Sequence, residues 1–272
     1  MLGLRPDGFH EVETVLLALD WGDDVEVRLE GSEGVRLDVE GGERDVPTGE
    51  QNLAWRAAAA YATAAHRSGR PLRCGVHLRL VKRVPPGAGL GGGSSDAATV
   101  LACLEEEAGA LGAPALHDLA ATLGSDVPFF LLPSGAAVAR GRGERLTALD
   151  TPPPLDVVLI LPGTLHDTAR VYGHVSPSEP LSGVDAAAAA LASGEAKRVR
   201  AAHRNALLAA ALAAYPGFAS FMEEVTRRLG RAPALSGSGS TLFDVPAAGE
   251  VDDVLRRLEG LPGRVLHVRS RP

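Results

Sequence analysis

A chain of 272 residues with 45% apolar content can form one large domain or two of moderate size, with a sizeable core. Its net charge of −7, with no basic run to offset it, excludes nucleic acid as a bulk partner. No stretch is long and apolar enough to cross a membrane, no secretory leader is expected, and the eight scattered histidines lack zinc-site spacing.

Residues 5–10, Arg-Pro-Asp-Gly-Phe-His, open the chain on turn chemistry. Phe9 and His10 sit at that turn, where a ring and an imidazole either hold a flat ligand or form a core Phe beside a surface His. Alternation predicts strands over 12–19, 24–30 and 35–40, and three strands in series imply antiparallel pairing. Asn52 is placed to cap a helix over 52–66, ended by Gly69 and Pro71. Cys74 and Cys103 lie far apart, outside any C-x-x-C pattern, and read as buried thiols in a reducing cytosol.

A strand over 76–84 leads into the densest signal of the chain. Pro85, Pro86, Gly87, Ala88, Gly89, Leu90, Gly91, Gly92, Gly93, Ser94 and Ser95 form a loop with five glycines in seven residues. Ser94 and Ser95 are N-cap types, so a helix is expected over 96–108. A strand, a glycine loop and a helix N-terminus together make an anion site, and a nucleotide phosphate is the inferred ligand. A dinucleotide fold would place a second strand with an acidic end after the helix, where this chain has a loop at 109–114. A Walker loop is excluded because no lysine follows these glycines; the only lysines are Lys82 and Lys197. Asp96 would repel a bound phosphate, so it must point away or reach it through a metal ion.

A short helix over 114–123 precedes Gly124-Ser125-Asp126. Asp126 is either a helix cap or a general base. Residues 136–149 read as a hairpin, and the three prolines at 152–154 as the domain boundary, giving units of 1–153 and 154–272. Beyond it come a buried strand over 155–161 and alanine-rich helices over 185–214, interrupted near Gly194. A helix over 218–229, a strand over 241–245, a helix over 250–259 and a strand over 264–269 complete an α+β pattern. Gly237, Ser238 and Gly239 form a second glycine loop, either a plain turn or a second contact to the same ligand.

The loop at 85–98 closely resembles the signature of the GHMP kinases, the galactose, homoserine and mevalonate kinase superfamily. Residues 5–11, 51–53, 124–130 and 236–240 agree, in order, with the branch acting on 4-diphosphocytidyl-2-C-methyl-D-erythritol. The resemblance implies a two-domain α+β fold: an N-terminal domain with a left-handed βαβ crossover and a ferredoxin-like C-terminal domain. It implies an enzyme using ATP and Mg²⁺ to phosphorylate a cytidine diphosphate-linked methylerythritol, with homoserine- or mevalonate-type activity, or nucleotide binding without catalysis, as alternatives. By the family pattern residues 85–95 cradle the triphosphate, while Asn52 and Lys82 line the base pocket. Phe9, His10 and Tyr172 hold the cytosine, and Asp126 is the catalytic aspartate. The family also carries a lysine-bearing strand upstream of the Asp-Gly-Phe-His turn. The sequence starts beyond that point, and the expectation is a longer natural reading frame that supplies it and pairs the edge of the next strand.

Overall fold

The computed structural model describes residues 3–5, 8, 10–31, 34–42, 46–175 and 183–271. Eleven strands among these residues form three sheets. In the N-terminal half lie β1 (Gly3–Leu4), β2 (His10–Leu17), β3 (Asp24–Leu29), β4 (Val35–Gly41) and β5 (Val76–Lys82), then β6 (Ala136–Gly141) and β7 (Arg145–Ala148). Helices α1 (Leu53–Arg67), α2 (Gly92–Ala108) and α3 (Ala113–Leu123) lie between β4 and β6.

The expected serial antiparallel pairing of the first three long strands does not occur. β2 belongs to a sheet of order β1-β2-β6-β7, while β3 and β4 flank β5 in a second sheet. β3 runs antiparallel to β5, and β4 runs parallel to it through the α1 crossover. The reason is burial: Val76, Leu78 and Leu80 of β5 are at most 3% exposed, so β5 takes the centre and its neighbours the edges. Its opposite face is polar, where His77 bridges Glu30 and Asp38, and Arg79 makes a two-pronged pair with Glu40. β1 reaches only His10 and Glu11, so no described strand lies beside the remainder of β2 on that side.

The small residues of α1 and α2 let both helices pack closely on this sheet; Ala54, Ala57, Ala58, Ala97 and Ala98 are all buried. Asn52 caps α1 as expected, its Oδ1 accepting the Ala54 amide at 2.9 Å. Cys74 and Cys103 are free thiols, half-buried rather than buried.

The second half contains β8 (Asp156–Leu161), α4 (Thr168–Tyr172), α5 (Val184–Ser193), α6 (Ala196–Ala202), α7 (Leu208–Ala214) and α8 (Pro216–Leu229). β9 (Ala234–Leu235), β10 (Leu242–Asp244), α9 (Val251–Leu258) and β11 (Arg264–Arg269) follow. Its sheet is antiparallel in order β11-β8-β10-β9, the arrangement of a ferredoxin-like βαββαβ unit. One large core draws on residues before 132 and another on residues after 157. A smaller cluster of Ala136, Leu155, Leu191 and Val245 joins the halves.

The Glu105 carboxylate pins the turn between α2 and α3. It accepts the Tyr61 hydroxyl at 2.7 Å and the amides of Leu111 and Gly112. Burial, aided by Glu105, pushes the Tyr61 phenol up to about 12. Glu105→Ala removes the acceptor of a fully buried hydroxyl. A loss of about 1–3 kcal/mol is expected, read by urea unfolding, and an unchanged midpoint would contradict this role.

Candidate functional site

β5 delivers the chain to the glycine loop, and α2 carries it away. The helix starts at Gly92, four residues earlier than the serine caps suggested. Gly91 occupies the N-cap position at φ 68° and offers no side-chain cap. Ser94 and Ser95 therefore lie inside the first turn. The amides from Gly89 to Ser94 donate to no described protein group, and the hydroxyls of Ser94 and Ser95 make no described hydrogen bond. Gly87, Gly89 and Gly91 all have positive φ, which turns successive amides outward. A row of unbonded donors at the positive end of a 17-residue helix is an anion site.

The second glycine loop abuts the first. Ser236 Oγ donates to the Gly89 carbonyl at 2.8 Å, and the Thr241 amide donates to the Ala88 carbonyl at 3.1 Å. A Cβ on Gly89 would stand 2.4 Å from the Ser236 oxygen and 2.7 Å from that of Gly239. His166 lies behind both loops: its amide donates to the Gly87 carbonyl at 3.3 Å and its Nδ1–H to the Ser238 carbonyl at 3.0 Å. Burial pushes this imidazole below its ordinary range, and its ring stacks on Tyr215 at 4.1 Å. Thr168 Oγ1 meets Ser238 Oγ at 3.0 Å. Asn205 donates from Nδ2 to the carbonyls of Leu235 and Gly237. These three residues carry no sequence motif. Only the topology, which sets α4 and the segment before α7 beside the loop, reveals them.

Asp126 stands at the N-cap position of a five-residue 3₁₀ turn, Val127–Leu131, yet its side chain makes no capping hydrogen bond. Its carboxylate is open to solvent while surrounding protein crowds it, and the resulting desolvation pushes its pKa up. The same turn reaches the phosphate loop, because a Cβ on Gly91 would lie 3.1 Å from the Phe130 ring. The His10 and Tyr172 rings, distant in sequence, meet at 5.0 Å with planes tilted by 45°. Burial raises the Tyr172 phenol, and the nearby charge of Asp126 raises it further. His10, Tyr172 and Asp126 thus gather in one place. Phe9 lies outside the described residues.

Two expected nucleotide residues are otherwise engaged. The Asn52 amide makes the α1 cap and donates to the Pro47 carbonyl at 2.8 Å. The Lys82 side chain is only 4% exposed, its ammonium held between Asp23 and Asp96. Alternation along β5 explains this, since Lys82 follows Leu78 and Leu80 on the buried face. Asp96 accordingly points away from the loop. Burial pushes its carboxyl up to about 7, with Lys82 pulling against that rise. A cavity of about 190 Å³ is lined by Pro85, Pro86 and Leu165 among others, and Asp126, His10 and Tyr172 are not among its walls.

Residues 52–134 match the family described as GHMP kinases N terminal domain. The chain is 40% identical to 4-diphosphocytidyl-2-C-methyl-D-erythritol kinase of Pelotomaculum thermopropionicum over 250 residues, covering 91% of this chain and 84% of that protein. It is 40% identical to the protein of the same name from Deinococcus radiodurans, covering 89% and 78%. Its fold superimposes on a crystal structure of 4-(cytidine 5'-diphospho)-2C-methyl-D-erythritol kinase with a TM-score of 0.79 at 37% identity, over 100% and 94% of the two chains. The homoserine kinase of Cytophaga hutchinsonii shares the fold at 17% identity, with a TM-score of 0.72 over 96% and 93%.

The loop contact gives a sharp test. Gly89→Ala forces a left-handed backbone, costing about 1–2 kcal/mol, and drives a methyl into two carbonyl oxygens. Its melting temperature should fall by several degrees, whereas Gly93→Ala, with nothing within 4 Å, should melt like the parent. Equal melting of the two variants would contradict the interlock.

Proposed function

The chain belongs to the GHMP kinases, on the 4-diphosphocytidyl-2-C-methyl-D-erythritol kinase branch, and from that premise we propose that it transfers the γ-phosphate of ATP to the 2-hydroxyl of 4-diphosphocytidyl-2-C-methyl-D-erythritol, a step in the non-mevalonate route to isoprenoid precursors. The observation that carries the reading is the row of unbonded amides from Gly89 to Ser94, tied through Phe130 to the turn that bears Asp126.

Phosphoryl transfer depends on positioning and charge neutralisation more than on covalent chemistry by the protein. The amides of residues 89–94 and the N-terminus of α2 bind the triphosphate and offset its charge. The second loop, residues 236–240, braces the first and shares that ligand. The free hydroxyls of Ser94 and Ser95 are hard oxygen donors that suit Mg²⁺ carried on the triphosphate, where the ion would neutralise part of its charge. Asp126 accepts the proton of the attacking hydroxyl, a role that fits a carboxylate with no capping bond and a raised pKa. His10 and Tyr172 hold the cytosine, the imidazole by hydrogen bonding and the phenol ring by stacking. The two cores fit units of 1–153 and 154–272, with the site where they meet. The free thiols fit a reducing cytosol. No described helix is long and apolar enough to cross a membrane.

The test is ATP turnover with three acceptors: the cytidylyl substrate, homoserine and mevalonate. Turnover is expected with the first alone, and equal turnover with homoserine would overturn the substrate assignment. Asp126→Asn should cut kcat by about 10²–10⁴-fold while melting like the parent, because no capping bond is lost. The sign of the pH effect follows from the raised pKa: activity is lost as pH falls and Asp126 takes up its proton. The acid limb of kcat/KM should therefore lie above the usual carboxylate range. Retained turnover, or an unfolded variant, would contradict the base role.

A further inference from the structure

Three charged side chains meet beneath the phosphate loop, where the β3-β5-β4 sheet touches α2. Lys82 closes β5, Asp23 precedes β3 and Asp96 lies in the second turn of α2. Their side chains are 4%, 1% and 5% exposed. The Lys82 ammonium contacts Asp23 and donates to Asp96 Oδ2 at 2.8 Å. The second oxygen of Asp23 accepts the amides of Arg83 at 2.5 Å and Val84 at 2.8 Å. The loop rests directly on this group: a Cβ on Gly92 would lie 2.9 Å from Val84 and 3.3 Å from Asp23 Oδ2.

A buried ion cluster is weak evidence for stability, since well-packed apolar residues often serve as well or better. This one holds two carboxylates for one ammonium, which is less favourable still. Its directional bonds, however, do what apolar packing cannot. They fix the end of β5, the entry to the loop and the beginning of α2 to one another in a single register. The row of free amides hangs between those three points.

We propose that Asp23, Lys82 and Asp96 are positioning residues for the nucleotide site, holding the loop amides at the spacing a triphosphate requires. The inference rests on the reading of residues 85–95 as the triphosphate site. It assigns Lys82 a task inside the protein, in place of direct contact with the base.

The test uses the full chain and its Asp96→Ala and Asp96→Asn variants. Ala cuts the link to α2 and leaves the Lys82–Asp23 pair neutral, whereas Asn keeps an acceptor for Lys82. Binding of Mg²⁺-loaded AMP-PNP is measured by calorimetry, alongside the KM of each substrate. Asp96→Ala should weaken nucleotide binding about tenfold to a hundredfold, with the KM of the cytidylyl substrate moving less than twofold. Asp96→Asn should restore binding to within about threefold of the parent. If Ala binds as the parent does, or shifts both KM values equally, the positioning role is overturned. Should Asp96→Ala fail to fold, Lys82→Met combined with Asp23→Asn and Asp96→Asn leaves no buried charge while still removing the ammonium link, and the same readouts decide. No binding by the parent chain would overturn the triphosphate reading itself and this inference with it.

Discussion

The close approach of two backbone loops governs the site. The chain at Gly89 passes so near the carbonyls of Ser236 and Gly239 that no side chain can stand between them. Both loops therefore need glycine, for different reasons. In the first, positive φ turns amides outward and a Cβ on Gly89 would strike the second loop; in the second, a Cβ on Gly239 would stand 2.6 Å from the His166 ring. Ser236 and Thr241 convert that proximity into hydrogen bonds to the carbonyls of Gly89 and Ala88, which leaves the amide edge of the first loop free.

The same economy of contacts joins the first glycine loop to the turn that bears Asp126. The turn after Asp126 buries Val127 and Phe129 in the protein and extends Phe130 to Gly91. Any shift of the phosphate loop is thus felt at the turn that aims the carboxylate. Tyr172 sits at the end of α4, whose first residue, Thr168, touches the second loop through Ser238. The two glycine loops, the Asp126 turn and the His10–Tyr172 pair are therefore linked by short chains of packed residues. This suits a transfer in which alignment, not covalent chemistry, governs the barrier.

The sequence made the strand–loop–helix unit legible because glycine spacing and alternation are local signals. It misplaced the start of α2 because serines normally cap helices, whereas here no side chain caps the helix and its first amides stay unbonded among the described residues. The pairing of β3 and β4 on either side of β5 depends on a crossover that no short window contains. Asp126 is ambiguous in the sequence because a cap and a base occupy the same backbone position, and the structure shows only that the capping bond is not made. The internal place of Lys82 was within reach of period-two counting along β5, but the partner carboxylates come from elements far away in sequence. His166 and Asn205 left no signal, since their roles exist only where the two loops meet.

The central claim is that the two glycine loops form one phosphate-binding unit. Hydrogen–deuterium exchange of the full chain, with and without Mg²⁺-loaded AMP-PNP, addresses it most directly. The account predicts that peptides covering residues 87–95 and 236–241 gain protection together, at the same nucleotide concentration. Protection confined to 87–95, with exchange at 236–241 unchanged, would contradict it.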